Sequence, residues 1–279
     1  PVMELSLPHP VAVDHYENFP VASVLLPARL RRPVGLIYRF ARESDDFADE
    51  GNLPDAERLA LLSTFSLELE RIERKEPPGI PWFADLAAVI HEHGLPIQLF
   101  HDLLSAFAQD VTTKRYTDYA GVLDYCRRSA NPVGRLLLYL YDAASEQNLQ
   151  YSDAICSGLQ LINFLQDVAI DWKKDRVYFP QNDMLHHGVS EAQIAAGDIG
   201  GNWQDLMNFE VQRTRELLYS GSPLGRVLKG RIGLEMRMII AGGDRILEKI
   251  TAVRGDVFRH RPVLTKPDWA LMLFRSMMS

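Results

Sequence analysis

The sequence predicts an all-α protein. Apolar residues recur at helical spacing through most of the chain, two segments carry polar side chains along one helical face, and no stretch alternates like a half-buried strand. There is no internal repeat and no low-complexity segment, so a single domain over residues 1–279 is expected. An apolar share of 47% is enough to build a real core at this length.

Taken in order, residues 1–13 hold three prolines and little period, which predicts an extended lead-in. From His15 to Phe40 one or two helices are expected, interrupted by Pro20, Pro27 and Pro33. His15 itself suits a structural histidine. A helix through Glu73 starts at Leu53-Pro54-Asp55-Ala56-Glu57, with the alternating Glu and Arg of an exposed face, and Pro77-Pro78-Gly79 is a loop. His91 and His93 lie two apart before Gly94, so on a helix their side chains diverge and do not form a metal site. Leu95 to Gln109 and Asp118 to Tyr125 are helical, and Ser129-Ala130-Asn131-Pro132-Val133-Gly134 then breaks the pattern. Such a break is either an interhelical turn or a place where a ligand approaches the backbone. A loop-rich stretch runs past Gly188, Gly197, Gly200 and Gly201, which follow no strand and so make no nucleotide fingerprint. Helical periodicity returns over Phe209–Tyr219, Gly225–Leu247 and the chain end.

Composition narrows the function. A formal charge of -7 argues against a nucleic-acid partner, which calls for a basic stripe. Cys126 and Cys156 both fall inside helical patterns, so inert thiols in a reducing cytoplasm are expected rather than a disulfide. No stretch has the order of a signal peptide, and no apolar run reaches the ~20 residues that span a bilayer. The segment from Trp269 to Met278 is apolar enough for peripheral contact with a membrane, although a terminal helix packing on its own domain accounts for it at least as well and is the favoured reading.

The chemistry sits in two stripes. In Leu159–Asp171 the side chains of Gln160, Asn163, Asp167 and Asp171 share one helical face amid Leu161, Ile162, Phe164, Leu165 and Val168. Neighbouring carboxylates about 6 Å apart would repel by roughly 3 kcal/mol at an effective dielectric of about 20, so something positive should lie between them. In the second stripe, Tyr38, Arg42, Asp45 and Asp49 follow i, i+4, i+7 and i+11, while Asp46 points off the face. Hard oxygen donors without His or Cys select magnesium, which is usually completed by substrate phosphates, and Arg42 can fork onto a diphosphate.

At these residues the chain resembles the squalene/phytoene synthase family. Asp45-x-x-x-Asp49 and Asn163-x-x-x-Asp167-x-x-x-Asp171 look like its two aspartate motifs, and the match runs from about His15 to the chain end. His15–Ser23, Tyr125–Gly134 and Asp256–Pro262 most resemble the hydroxysqualene synthase branch of bacterial hopanoid pathways. The resemblance implies a helical bundle around a central cavity, with magnesium on Asp45, Asp49, Asn163, Asp167 and Asp171. It implies catalytic roles for Tyr38, Arg42, Tyr125, Gln160, Asn163 and Tyr178. It implies substrate contacts from Asn18, Phe19, Arg127, Val133, Gly134, Phe164 and Arg176, and makes Asp171–Pro180 a flap over the pocket. Phe19, Phe40, Phe164, Tyr38, Tyr125 and Tyr178 are the expected aromatic walls, and Arg127 and Arg128 are expected to help place water or diphosphate.

Departures from the family pattern refine this expectation. Family members that join two prenyl diphosphates carry basic residues at the positions of Gln166 and Glu17 and a tyrosine at that of Gly243. Fewer phosphate-binding groups suit one diphosphate, hence presqualene diphosphate as the substrate partner and hydroxysqualene as the product. Head-to-head condensation of two farnesyl diphosphates is the alternative; a non-catalytic scaffold of the same shape is disfavoured because all four motif aspartates are in place. The expected setting is cytoplasmic, peripheral to a membrane, beside partners in the same pathway.

Overall fold

The computed structural model describes residues 26–278, which are helical with no strand among them. The expected contacts of Asn18, Phe19, Glu17 and His15 and the lead-in 1–13 lie outside the described residues. Helix α1 spans Ala28–Asp49, α2 Asp55–Glu73, α3 Phe83–His93, α4 Gln98–Thr112, α5 Tyr119–Ser129, α6 Asn131–Leu140 and α7 Glu146–Gln166. The second half comprises α8 Val168–Lys173, α9 Gln181–His187, α10 Glu191–Ala196, α11 Trp203–Ser220, α12 Leu224–Val227, α13 Gly230–Ala252 and α14 Lys266–Met278.

Pro33 does not interrupt α1. It falls just one turn in, where its ring meets only the first-turn carbonyl of Arg29 and its apolar ring is itself buried. Asp45 and Asp49 of the second stripe therefore ride on one continuous helix. Gly94, Gly188 and Gly197 end α3, α9 and α10 in the left-handed conformation, the stop signal expected of glycine.

Two apolar cores flank the middle of the bundle. In the first, α1, α2, α3 and α4 meet around Phe40, Phe65, Phe83 and Phe100, whose rings pack at 4.9–6.1 Å between centroids. Fully burying each such side chain contributes about 1.5–3 kcal/mol. Phe40 is thus core and not a cavity wall, because its side of α1 turns away from the stripe of Tyr38, Arg42, Asp45 and Asp49. The second core joins α7, α11 and α13 around Leu159, Ile162, Trp203, Leu218 and Ile246. A Cβ on Gly243 of α13 would come within 3.0–3.1 Å of Leu159, Ile162 and Leu218, so this position has no room for a tyrosine and does not face the cavity.

Helix α7 of the second core also packs against α5 and α6, besides α11 and α13. The break expected over 129–134 falls at Ala130, where α5 stops and α6 begins. Asn131 is buried there and accepts a hydrogen bond from Ser157 Oγ at 2.8 Å, tying the break to α7. Gly134 faces Ser152 and Cys156 so closely that any Cβ would clash, which lets α6 settle onto α7. A second break, not expected, falls at Asp167 between α7 and α8. The amide of Asp167 still bonds Asn163 O at 3.0 Å and that of Asp171 bonds Asp167 O at 2.8 Å, so the i, i+4 face survives the interruption.

Candidate active site

Where α1, α4, α5 and α7 diverge they leave a chamber of about 500 Å³. From α1 it receives Tyr38, Arg42, Asp45 and Asp49; from α7 and the turn after it, Gln160, Asn163, Phe164, Asp167 and Asp171. The two stripes therefore share one hollow. Tyr125, Val133, Arg176 and Tyr178 complete the expected lining.

Arg127 does not. Its guanidinium is exposed and pairs with Asp124 one turn back on α5, because Arg127 lies two residues past Tyr125 and so on another face. Arg128 bonds Asp124, Gln109 and Ser105 and does not line the chamber either. Gly134 lines a smaller apolar hollow of about 50 Å³ next door, which shares Tyr38 and Cys156 with the chamber.

The charge balance of the chamber is set by cations that the stripes alone do not reveal. Lys174 and Arg176, both on the segment following α8, bond opposite oxygens of Asp49. Arg261 Nε donates to Asp167 Oδ1 at 2.7 Å, and Arg42 Nε lies 3.0 Å from Asp46 Oδ1, so Asp46, off the stripe, pairs within its own helix. Burial pushes Asp49 up, but Arg176 and Lys174 outweigh it and hold its carboxyl below the usual range. Asp45 has no such partner. Burial, with Asp49 and Asp110 nearby, pushes it up to about 7, and burial and Asp167 push Asp171 well above its ordinary value.

Beneath these charges lies a network that sequence reasoning missed. Asp110 on α4 is 4% exposed and accepts hydrogen bonds from both Tyr125 Oη and, at 2.9 Å, Tyr178 Oη. Burial raises its pKa against the opposing effect of Arg176 and the two tyrosines. Its signal was a lone carboxylate continuing the buried stripe of Leu103 and Phe107, just past the expected end of that helix at Gln109. Tyr178 also stacks on Phe164 at 3.8 Å between centroids and 4° between planes. Together these rings make a rigid apolar wall facing the acids.

No group of three or more His, Cys, Asp or Glu forms a ready metal cage among the described residues. The donor set instead fits a hard divalent cation held by one or two carboxylates and completed by phosphate: it is all oxygen, and at Asp45 and Asp171 burial and neighbouring acids outweigh the nearby Arg42, Lys174 and Arg176.

Comparison with known proteins agrees with this geometry. A family model described as squalene/phytoene synthase matches residues 12–268. A hydroxysqualene synthase from Rhodopseudomonas palustris is 36% identical over 236 residues, covering 84% of this chain and 79% of that one. One from Zymomonas mobilis is 34% identical over 84% of this chain and 77% of its own. The crystal structure of the squalene synthase HpnC from Alicyclobacillus acidocaldarius superposes with a TM-score of 0.79 at 32% identity, covering 86% of this chain and 90% of that one. A ligand-bound dehydrosqualene synthase shares the fold with a TM-score of 0.69 at 21% identity, over 91% and 88%.

Proposed function

The chain belongs to the squalene/phytoene synthase family, and from that footing we propose that it converts presqualene diphosphate and water to hydroxysqualene and diphosphate with magnesium. At the coarser level it is an enzyme of the prenyltransferase type that the family comprises. The observation that carries the finer reading is the state of Gln166. It is 2% exposed and donates to Pro262 O at 2.7 Å, so a position that the two-diphosphate reading would give to a phosphate-binding cation here fastens the 256–262 segment instead.

In this reading Asp45, Asp49, Asn163, Asp167 and Asp171 hold the magnesium, which when bound neutralises the diphosphate leaving group. Arg42, Lys174 and Arg176 orient the diphosphate through charged hydrogen bonds. The cyclopropylcarbinyl cation left by C–O cleavage lies against Phe164, Tyr178 and Tyr125, whose ring faces favour positive charge and keep bulk water away. Tyr38 and Gln160 stand on either side of the same hollow. The neighbouring apolar hollow beyond Tyr38 suits a prenyl tail.

Head-to-head condensation of farnesyl diphosphate stays as the second reading because Arg261 brings a further guanidinium into the chamber. Pure protein incubated with each diphosphate, with and without magnesium, separates the two. Hydroxysqualene from presqualene diphosphate alone supports the first reading; a joined product from farnesyl diphosphate alone overturns it.

The membrane contact we propose lies on α14. One side packs on α13 through Met272, Asp268 and Ser276, while Trp269, Leu273, Phe274, Met277 and Met278 are 38–75% exposed on the other. Arg237 donates to both Gly225 O and Ser276 O, bringing the tip of α12 and the end of α14 to one end of the molecule. Exposed Arg226, Lys229 and Arg231 lie on or beside α12. An apolar stripe near basic side chains is matched to an anionic lipid surface, the source of a prenyl substrate. No helix among the described residues is long and apolar enough to cross a membrane.

A further inference from the structure

The two cations that bond Asp49 flank a strained turn. Helix α8 ends in a Schellman motif, in which the Asp175 amide bonds Trp172 O and the Arg176 amide bonds Asp171 O, each at 2.9 Å. The residue between Lys174 and Arg176 must then be left-handed. Where glycine is usual this chain has Asp175, at φ +57°, with an exposed side chain.

Arg115, on the connection between α4 and α5, grips that turn from outside the chamber. Its Nη1 donates to Asp175 O at 2.6 Å and its Nη2 to Asp175 Oδ1 at 3.0 Å, so main chain and side chain of one residue are both held. On its other edge Nε donates to Glu191 Oε2 at 3.0 Å and Nη2 to Glu191 Oε1 at 2.7 Å, which ties the turn to the first residue of α10. Nη1 also donates to Lys114 O at 2.9 Å, and with that all five guanidinium N–H groups are used. The guanidinium carbon lies 5.7 Å from the ring centroid of Trp172 on α8. Alongside, Val177 N bonds Lys114 O at 3.0 Å and Gln181 N bonds Tyr116 O at 2.9 Å, so the strand of chain carrying Arg115 is itself fixed to the segment it grips.

We propose that Arg115 is a positioning residue for diphosphate binding: by fixing the left-handed turn at Asp175 it sets where Lys174 and Arg176 stand over Asp49, although it does not line the chamber. The proposal rests on the assignment of those two cations to the diphosphate given above. Both side chains leave from the same turn, so one change in backbone angle re-aims both at once. A turn held in advance spares the ligand the ordering of two long, flexible side chains.

Calorimetric titration of the full chain with inorganic diphosphate and magnesium reads the binding. Arg115→Ala is expected to weaken Kd by about tenfold, as loss of an outer partner of a ligating group commonly does. Arg115→Lys restores the charge without the fork and is expected not to rescue; full rescue would mean that charge alone acts and overturns the positioning role. Without ligand, trypsin cleavage after the exposed Lys173 and Lys174 is expected to quicken at least about tenfold in Arg115→Ala, because cleavage follows local opening; an unchanged rate overturns the hold on the turn. Should Arg115→Ala fail to fold, Asp175→Val leaves Arg115 in place but tolerates the left-handed backbone poorly, and is expected to show the same loss of affinity. Asp175→Asn accepts that backbone, keeps the side-chain oxygen and is expected to bind like the wild type. A Kd within about twofold of the wild type in Arg115→Ala or Asp175→Val overturns the proposal, whatever the melting temperature does. A wild-type protein that binds no diphosphate overturns the assignment of Lys174 and Arg176 and the positioning role with it, while faster cleavage of Arg115→Ala would still uphold the hold on the turn.

Discussion

Arg176 donates from Nη1 to Asp49 Oδ1 across 127 residues of sequence, fastening the segment after α8 to the last turn of α1. The contact closes one wall of the chamber and places a guanidinium where a diphosphate would arrive. Arg176 also bonds the carbonyl of Asp110, so one side chain links both charge layers of the site.

Removing that guanidinium leaves Asp49 and Asp110 short of counter-charge in a largely buried setting. Arg176→Ala is expected to lower stability by about 3 kcal/mol, read as a shifted urea midpoint with an unchanged slope. A loss below about 1 kcal/mol would mean that Lys174 alone can hold Asp49.

The raised pKa of Asp45 sets a pH dependence. Its folded value of about 7 exceeds its unfolded value of 3.8, so the native state binds the extra proton and stability from this group falls as pH rises from about 4 to 7. Asp45→Asn is therefore expected to stabilise the metal-free protein at pH 8, by roughly 2 kcal/mol, and to have little effect at pH 4. With magnesium and a diphosphate analogue present the order should reverse, since the wild type alone gains the ligand's stabilisation. Thermal melts at both pH values, with and without ligand, measure this.

Asp110 orders two tyrosines at once. Asp110→Leu strands both hydroxyls and is expected to cost about 2–4 kcal/mol, more than Tyr178→Phe, which strands one acceptor lone pair. In a double-mutant cycle the pair Asp110→Leu and Tyr178→Phe should be less harmful than the sum of the single changes. Strict additivity would show that the shared carboxylate does not couple the rings.

The exposed side of α14 is testable without substrate. Phe274→Ser with Met277→Ser is expected to cut cosedimentation with anionic phosphatidylglycerol vesicles by at least about tenfold and to leave the melting curve nearly unchanged, because neither side chain is buried. Equal binding to neutral phosphatidylcholine vesicles would remove the role assigned to Arg226, Lys229 and Arg231. A wild-type protein that ignores both vesicles but self-associates through this face would assign it to a second copy of the chain instead.

Local pattern was enough for the all-α fold, the break before Asn131, the two acid stripes and their family, because helical period and i, i+4 spacing are properties of a few consecutive residues. The same reasoning put Arg127 in the site and left Asp110 out, since a helix pattern says which residues share a face but not what that face meets. Phe40 turned inward to three other rings and Gln166 turned to the Pro262 carbonyl for that reason. Which cations sit on which acids, Lys174 and Arg176 on Asp49 and Arg261 on Asp167, was decided only by tertiary structure. Those pairs join residues some ninety to one hundred and thirty positions apart, and only the folding of the helices around one chamber brings them within hydrogen-bond reach.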